Sequence, residues 1–376
     1  MPIFDSPTLA WRRLRYPVGL VVAVLLVWFL LESLIYRSGF YYHVLAEPHS
    51  NAGSTLLRSQ LARREATPSP PTVLMLGDSR VGQGFSRATA QAQVSGFTFI
   101  NVAVPGSTAR TWFYLLRKMQ REAVPFDAVV IGVLYRPMGS GRWVDRSLDP
   151  AFMAPLTDLR DAVEFPASFE DPAIRRRAHH MLWLPALQMQ KDTQALLASP
   201  YERWRSLKRK RRWLESIGDY TGREGNMPEL AFAPDRTVLD WGDATSQQRT
   251  DVEEHLVVLA QKPAMDNEQF LEHWIGKLLA LARQNEARLI FYPLPRGPYA
   301  ELLPEETGLP PWLDALASEP DVTVLPPDFL ADLEAPQYFF DELHANTAAR
   351  NITSERVARA VADVMAAGEP REASRP

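Results

Sequence analysis

The sequence predicts an α/β domain built on a mainly parallel sheet, set behind one N-terminal transmembrane helix and carrying a mostly helical insertion. Three observations predict it. From Thr72 onward, apolar strand-like runs alternate with helix-like segments. The strand-like runs are near-continuously apolar, as in strands covered by helices on both faces. Ahead of them, directly behind a cluster of arginines, stands one apolar stretch long enough to cross a bilayer.

The first elements concern the membrane. Residues 1–16 hold Arg12, Arg13 and Arg15 and form a cytoplasmic N-terminus; residues 17–36 form the anchor. Thirteen Leu, Ile, Val or Phe residues lie between Val18 and Ile35. At roughly −0.3 to −0.6 kcal/mol each they outweigh Glu32, which stands near the far end of the span. Arginines before the span favour export of everything after it, and so a single-pass protein of the cytoplasmic membrane with its large domain on the periplasmic side. A cleaved signal peptide is the rival reading, because "VLA" ends at Ala46, but the apolar core is long for one. A buried core helix is the other.

Residues 37–71 read as a stalk, aromatic near the membrane in "GFYYHV" and ending in the proline-rich "ATPSPP". A domain over 72–370 follows. Its strands are "TVLMLG", "FTFINVAV", "FDAVVIGVLY", "ARLIFYPLP" and "VTVLPP". Helices are expected over about 80–93, over "STARTWFYLLRKMQREA" with Ser107 or Thr108 as cap, at Glu268–Asn285, at Pro311–Ala317 and from Thr347 to Ala367. Residues from about 137 to 265 break the rhythm. They are rich in Arg, Trp and Pro and read as a helical insertion over the top of the sheet.

Composition narrows the function classes. The chain has 376 residues, 41 basic and 45 acidic, for a net charge of −4, so it lacks the basic excess of a nucleic-acid binder. It has no cysteine, which removes disulfides, thiolate chemistry and cysteine metal sites. No metal site or cofactor motif is expected: adjacent His179 and His180 point to different sides of a helix, His255 and His273 lack ligand spacing, and Gly82-Gln83-Gly84 lacks the third glycine of a dinucleotide fingerprint. The stretch Arg203–Arg212 holds seven Lys or Arg residues and reads first as a solvated helix face, second as a contact for anionic lipid or polysaccharide.

Two short strings can carry chemistry. In open α/β sheets ligands bind beyond the carboxyl ends of the strands. Gly77-Asp78-Ser79 falls there, after the first strand. A serine hydroxyl is a poor nucleophile until a base takes its proton and a third group orients that base. Such a pair stands at the other end of the chain, in "YFFDELHANT": Asp341 can hold one nitrogen of His344 while the other faces Ser79. Each string alone reads sooner as a helix cap or a surface loop than as chemistry; together, at the two ends of one α/β unit, they read as a triad.

With both strings in place, the chain resembles the SGNH (GDSL-type) hydrolase superfamily over residues 72–136 and 266–365. That resemblance implies a three-layer, flavodoxin-like domain and acyl transfer, with Ser79 as nucleophile, His344 as base then acid, and Asp341 as its orienter. It matches "NVAVPGST" to a second family block, whose Gly106 N–H would form an oxyanion hole with that of Ser79. The family's third block, Gly-x-Asn-Asp, is broken: Gly132 fits, but Leu134 stands where the Asn belongs. Either Tyr135 or Arg136 supplies the third donor, or the hole has two. Asp78, Asn101 and Tyr135 are the candidate substrate contacts.

With its anchor, the chain resembles the membrane-tethered branch of that superfamily, which includes alginate O-acetylation accessory proteins and the teichoic-acid D-alanylation protein. The implied partners are an acyl donor or an acylated envelope glycan, and a multi-span membrane acyltransferase. The other readings are a catalytically inactive scaffold that binds glycan or such a partner, and a lipase-like esterase.

Overall fold

The computed structural model describes residues 7–48, 50–136, 141–216, 222–261, 266–303 and 308–367. Helix α1 (Pro7–Glu32) continues through two π-helical turns, Ser33–Arg37 and Tyr41–Leu45, to α2 (Asn51–Glu65). Then come β1 (Thr72–Leu76), α3 (Ser79–Gly84), α4 (Arg87–Gln93), β2 (Thr98–Asn101), α5 (Ala109–Arg121) and β3 (Ala128–Val133). The insertion holds α6 (Asp149–Met153), α7 (Glu164–Ala167), α8 (Pro172–Trp183), α9 (Pro185–Gln188), α10 (Gln190–Ala198) and α11 (Pro200–Ser216). A small antiparallel ribbon, β4 (Ala231–Phe232) with β5 (Val238–Asp240), and α12 (Ser246–Ala260) close it. Helix α13 (Asp266–Gln284), β6 (Arg288–Pro293), α14 (Pro311–Ala317), β7 (Val322–Val324) and α15 (Thr347–Ala367) complete the chain. Residues 137–140 and 262–265, at the expected ends of the insertion, lie outside the described residues, as do 368–370 at the expected end of the domain.

The main sheet runs β2-β1-β3-β6-β7 with every neighbour parallel. This is the predicted α/β class with a mainly parallel sheet. Its strands are mainly apolar because both faces are covered, and successive side chains divide between two cores. Leu74, Leu76, Val129, Ile131, Leu289 and Phe291 face one core, shared with α2, α5 and α13. Val73, Met75, Val130, Ile290 and Tyr292 face the other, shared with α15.

The expected stalk is corrected. Residues 51–65 are a helix packed against α5, α6 and β2, with Leu56, Leu57, Leu61 and Ala62 buried. Ser50 caps it, its hydroxyl accepting from Gly53 N–H at 3.0 Å. Tyr36, Tyr41 and Tyr42 also join this core. The chain therefore passes from the apolar span straight into the folded domain. That span, Pro17–Arg37, is long and apolar enough to cross a membrane, and 6% of its most apolar window is buried. The side chains of Arg12, Arg13 and Arg15 lie outside the described residues.

The basic stretch of α11 is not a uniformly solvated face. Arg203 is buried, paired with Asp192 at 2.9 Å and donating to the Leu45 carbonyl at 2.7 Å. Lys208 lies 3.6 Å over the Trp204 ring. The side chains of residues 210–216 lie outside the described residues.

Candidate active site

The strand order reverses between β1 and β3, and the loops after β1, β2, β3 and β7 gather at that carboxyl edge. After β1 the chain turns at Gly77, whose φ of +156° and contact with Val81 leave no room for a Cβ. Asp78 caps α3, accepting from Arg80 N–H at 2.9 Å. Ser79 is the first residue of that helix, so its N–H has no intrahelical partner.

Ser79 meets the far end of the chain. Its Oγ lies 2.8 Å from His344 Nε2, across 265 residues of sequence. His344 Nδ1 lies 2.9 Å from both carboxylate oxygens of Asp341. A carboxylate can only accept, so Nδ1 carries the proton and Nε2 is left to accept from the serine hydroxyl. Asp341 also accepts from the backbone N–H groups of Leu343 and His344, at 2.9 and 2.7 Å. Burial works against its charge, but the His344 hydrogen bond and those N–H groups hold its carboxyl below the usual range. Asn346 anchors the same loop, its amide donating to the Gly225 and Gln337 carbonyls at 3.0 and 2.7 Å.

The loop after β2 closes the other side. Val104 N–H donates to the Gly77 carbonyl at 2.9 Å, and Ser107 Oγ donates to it at 3.3 Å while accepting from Trp112 Nε1 at 2.8 Å. Gly106 takes φ +72°, which favours glycine, and its N–H makes no hydrogen bond among the described residues. Thr108 stands at the N-cap of α5, yet neither it nor Ser107 caps that helix. The Thr108 hydroxyl goes instead to Asp149 at 3.1 Å. Asp149 is fully buried with Arg110 (3.1 Å), whose guanidinium stacks 3.9 Å over Phe169. This buried pair ties the insertion to the start of α5, three residues beyond Gly106. Burial pushes the Asp149 carboxyl up to about 6 against the pull of Arg110.

These parts surround a cleft of about 300 Å3, lined by Ser79, Gly106, Trp112, Leu134, Trp143 and Arg146 among others. The expected substrate contacts fare differently from the triad. Asp78 lines the cleft, but Arg80 occupies its carboxylate, at 2.7 Å, and offsets the burial that would raise its pKa. The Asn101 amide is spent on the carbonyls of Val81, Gly82 and Phe85, holding α3 in place. Tyr135 turns into the core and donates to the Leu325 carbonyl at 2.7 Å. Arg136 is exposed and outside the cleft lining. Once β3 ends at Val133, burial of Tyr135 under Trp312, whose Nε1 donates to its carbonyl, directs Arg136 outward.

Arg146 was not foreseen. Its Nη2 lies 3.6 Å from where a Cβ on Gly106 would stand, and its Nε is buried without a partner. Among the described residues the guanidinium makes no hydrogen bond or ion pair, and Asp149, already held by Arg110, is its charged neighbour. Nothing in "GRWVDRSLDP" marks it; only the fold of the insertion brings it beside Gly106.

Fold and site define the molecule at the level of class: an α/β protein with a hydrogen-bonded serine, histidine and aspartate at the carboxyl edge of its parallel sheet. No family model matches the chain, and no curated protein does. Among the described residues no group of three or more His, Cys, Asp or Glu is placed to hold a metal ion.

Proposed function

We propose that the chain is a membrane-anchored serine acyl-ester enzyme of the SGNH type, transferring an acyl group, acetyl in the simplest case, to or from a cell-envelope polysaccharide. The observation that carries this reading is the 2.8 Å contact of Ser79 Oγ with His344 Nε2, backed by Asp341 on Nδ1. The strand order supports it, being that of flavodoxin-like sheets with a site at the switch point.

In this mechanism His344 Nε2 takes the hydroxyl proton as Ser79 Oγ bonds to the ester carbonyl carbon. The resulting oxyanion accepts from the N–H groups of Ser79 and Gly106, and the nearby Arg146 charge favours it further; one such donor is worth about 3 kcal/mol. His344 then gives its proton to the leaving alcohol as the C–O bond breaks. A second alcohol or water, deprotonated by His344, releases the acyl group from Ser79. Water makes the chain a hydrolase, a sugar hydroxyl a transferase. No cofactor enters these steps.

The apolar span and the arginines before it support a single-pass protein of the cytoplasmic membrane with its domain outside. There an acyl donor or acylated glycan is within reach, and a multi-span membrane acyltransferase is the fitting partner.

The test is covalent labelling by a serine-directed phosphonate together with hydrolysis of a small acetyl ester. The wild-type chain should do both and Ser79→Ala neither. Labelling retained by Ser79→Ala overturns the assignment. A wild-type chain inert in both assays yet held on a glycan column points instead to a binding scaffold. Activity that climbs steeply with acyl chain length points to a lipase-like esterase.

A further inference from the structure

The last turns of the apolar span hold an acid. Glu32 stands five residues before the end of the span at Arg37, about 7 Å inside it at helical rise. An acid at that depth is costly unless something polar covers it. Here it is covered: its side chain is 2% exposed, because the corner between α8 and α9 packs over it. Ala186 N–H donates to Glu32 Oε1 at 2.9 Å. Arg37, 3.9 Å from the other oxygen, donates to the Leu182 and Trp183 carbonyls at 3.4 and 2.5 Å. Tyr36 and Tyr41 hold the next helix, their hydroxyls 3.1 Å from Thr193 Oγ1 and 2.5 Å from Asp192 Oδ2.

These bonds fix the corner at the height of Glu32. On its outer side it leaves Trp183 49%, Leu184 36% and Leu187 52% exposed. Single exposed leucines are ordinary on protein surfaces. A tryptophan and two leucines on one corner, bonded to the end of a membrane-length helix whose own apolar side chains are exposed, add apolar surface at that end of the helix.

We propose that this corner, Leu182–Gln188, is embedded in the headgroup–acyl boundary of the leaflet facing the domain, so that the domain lies on the bilayer. The partner is the lipid surface itself. The 7 Å offset falls within the 5–10 Å at which interfacial helices bury their apolar faces. Trp183 suits that depth, since its ring is apolar and its indole N–H can reach the headgroups. Glu32 thereby exchanges water for a backbone N–H and a guanidinium. The inference rests on residues 17–37 crossing the membrane.

The absence of cysteine from the chain permits clean single-site labelling. Leu187→Cys, Leu25→Cys in the span and Leu239→Cys on the β4–β5 ribbon are each made in the full chain, labelled with an environment-sensitive fluorophore and reconstituted in phosphatidylcholine–phosphatidylglycerol vesicles. All three positions are exposed, so labelling leaves the packing intact. Nitroxide-bearing lipid should remove most of the fluorescence at positions 25 and 187, with a blue-shifted emission at both, and leave that at 239 largely unchanged. Quenching at 25 with none at 187 beyond that at 239 overturns the embedded corner and leaves the anchor standing. No quenching at 25 overturns the anchor and the inference with it.

Discussion

The Phe340 ring lies stacked on the His344 imidazole, with centroids 5.7 Å apart and planes 10° from parallel, and the Arg223 guanidinium lies 4.8 Å from the Phe340 ring centre. Asp341 fixes the His344 ring through its edge. Phe340 fixes it through its face, so the imidazole can neither swing nor tip away from Ser79. Phe340→Ala should lower kcat against a small ester about fivefold, the worth of an aromatic stack of about 1 kcal/mol. Phosphonate labelling should slow by the same factor without being lost. Steady-state kinetics and labelling rates check this; an unchanged kcat would remove the stack from the positioning of His344.

Asp341→Asn replaces an acceptor-only group with one that can present N–H to His344. The imidazole then favours the tautomer with the proton on Nε2, which cannot accept from Ser79. With the proposed mechanism a loss of about 10^4 in kcat is expected, with folding retained by circular dichroism.

The Arg110–Asp149 pair has both side chains fully buried. Asp149→Ala strands the Arg110 charge and should cost about 3–5 kcal/mol. The Thr108 hydroxyl loses its partner in the same step, and Thr108 lies two residues from Gly106. Thermal unfolding should therefore fall by several degrees. Replacing both residues by apolar ones, Arg110→Met with Asp149→Leu, should recover most of the stability, because no buried charge is then left alone.

His255, on α12 beside Gly297 and the Glu342 carbonyl, is buried with its Nδ1 unpartnered, and burial pushes its pKa from the ordinary 6.5 down to about 4. Between those values the unfolded chain binds a proton that the folded chain refuses. Stability must then fall as pH drops from about 6.5 to 4 and level off below, a loss of about 3 kcal/mol from this group. Urea unfolding across that window should show a shallower decline for His255→Leu than for the wild type. Equal declines would exclude His255 as the source.

The strands could be read from the sequence because a sheet covered on both faces needs unbroken apolar runs, and "TVLML" and "AVVIGV" are such runs. Asp341 and His344 could be read because their spacing is local. That they meet Ser79 is a property of the sheet order, which brings the loops after β1 and β7 to one edge. Helix α2 reads as stalk in the sequence for a physical reason: much of its buried surface is Ala52, Gly53, Thr55, Ser59 and Ala62, small residues that pack closely without looking hydrophobic. The proline-rich stretch behind it resembles an extended linker in sequence, but it is short and leads directly into β1. In the sequence Asn101 and Tyr135 read as substrate contacts because polar groups at strand ends commonly are. Both are instead consumed by backbone carbonyls that the strands and α3 leave open.

The burial of α2 sets a geometric limit on what the serine can meet. A flexible tether would let the edge that carries Ser79 sweep a broad shell above the bilayer. A helix wedged between α5 and α6 grants no such freedom, so with the span in a membrane the elevation of Ser79 is a fixed constant of the molecule. A molecule that reaches Ser79 must then come to that one height, and lengthening the chain between Arg37 and Ser50 would break the core before it extended the reach.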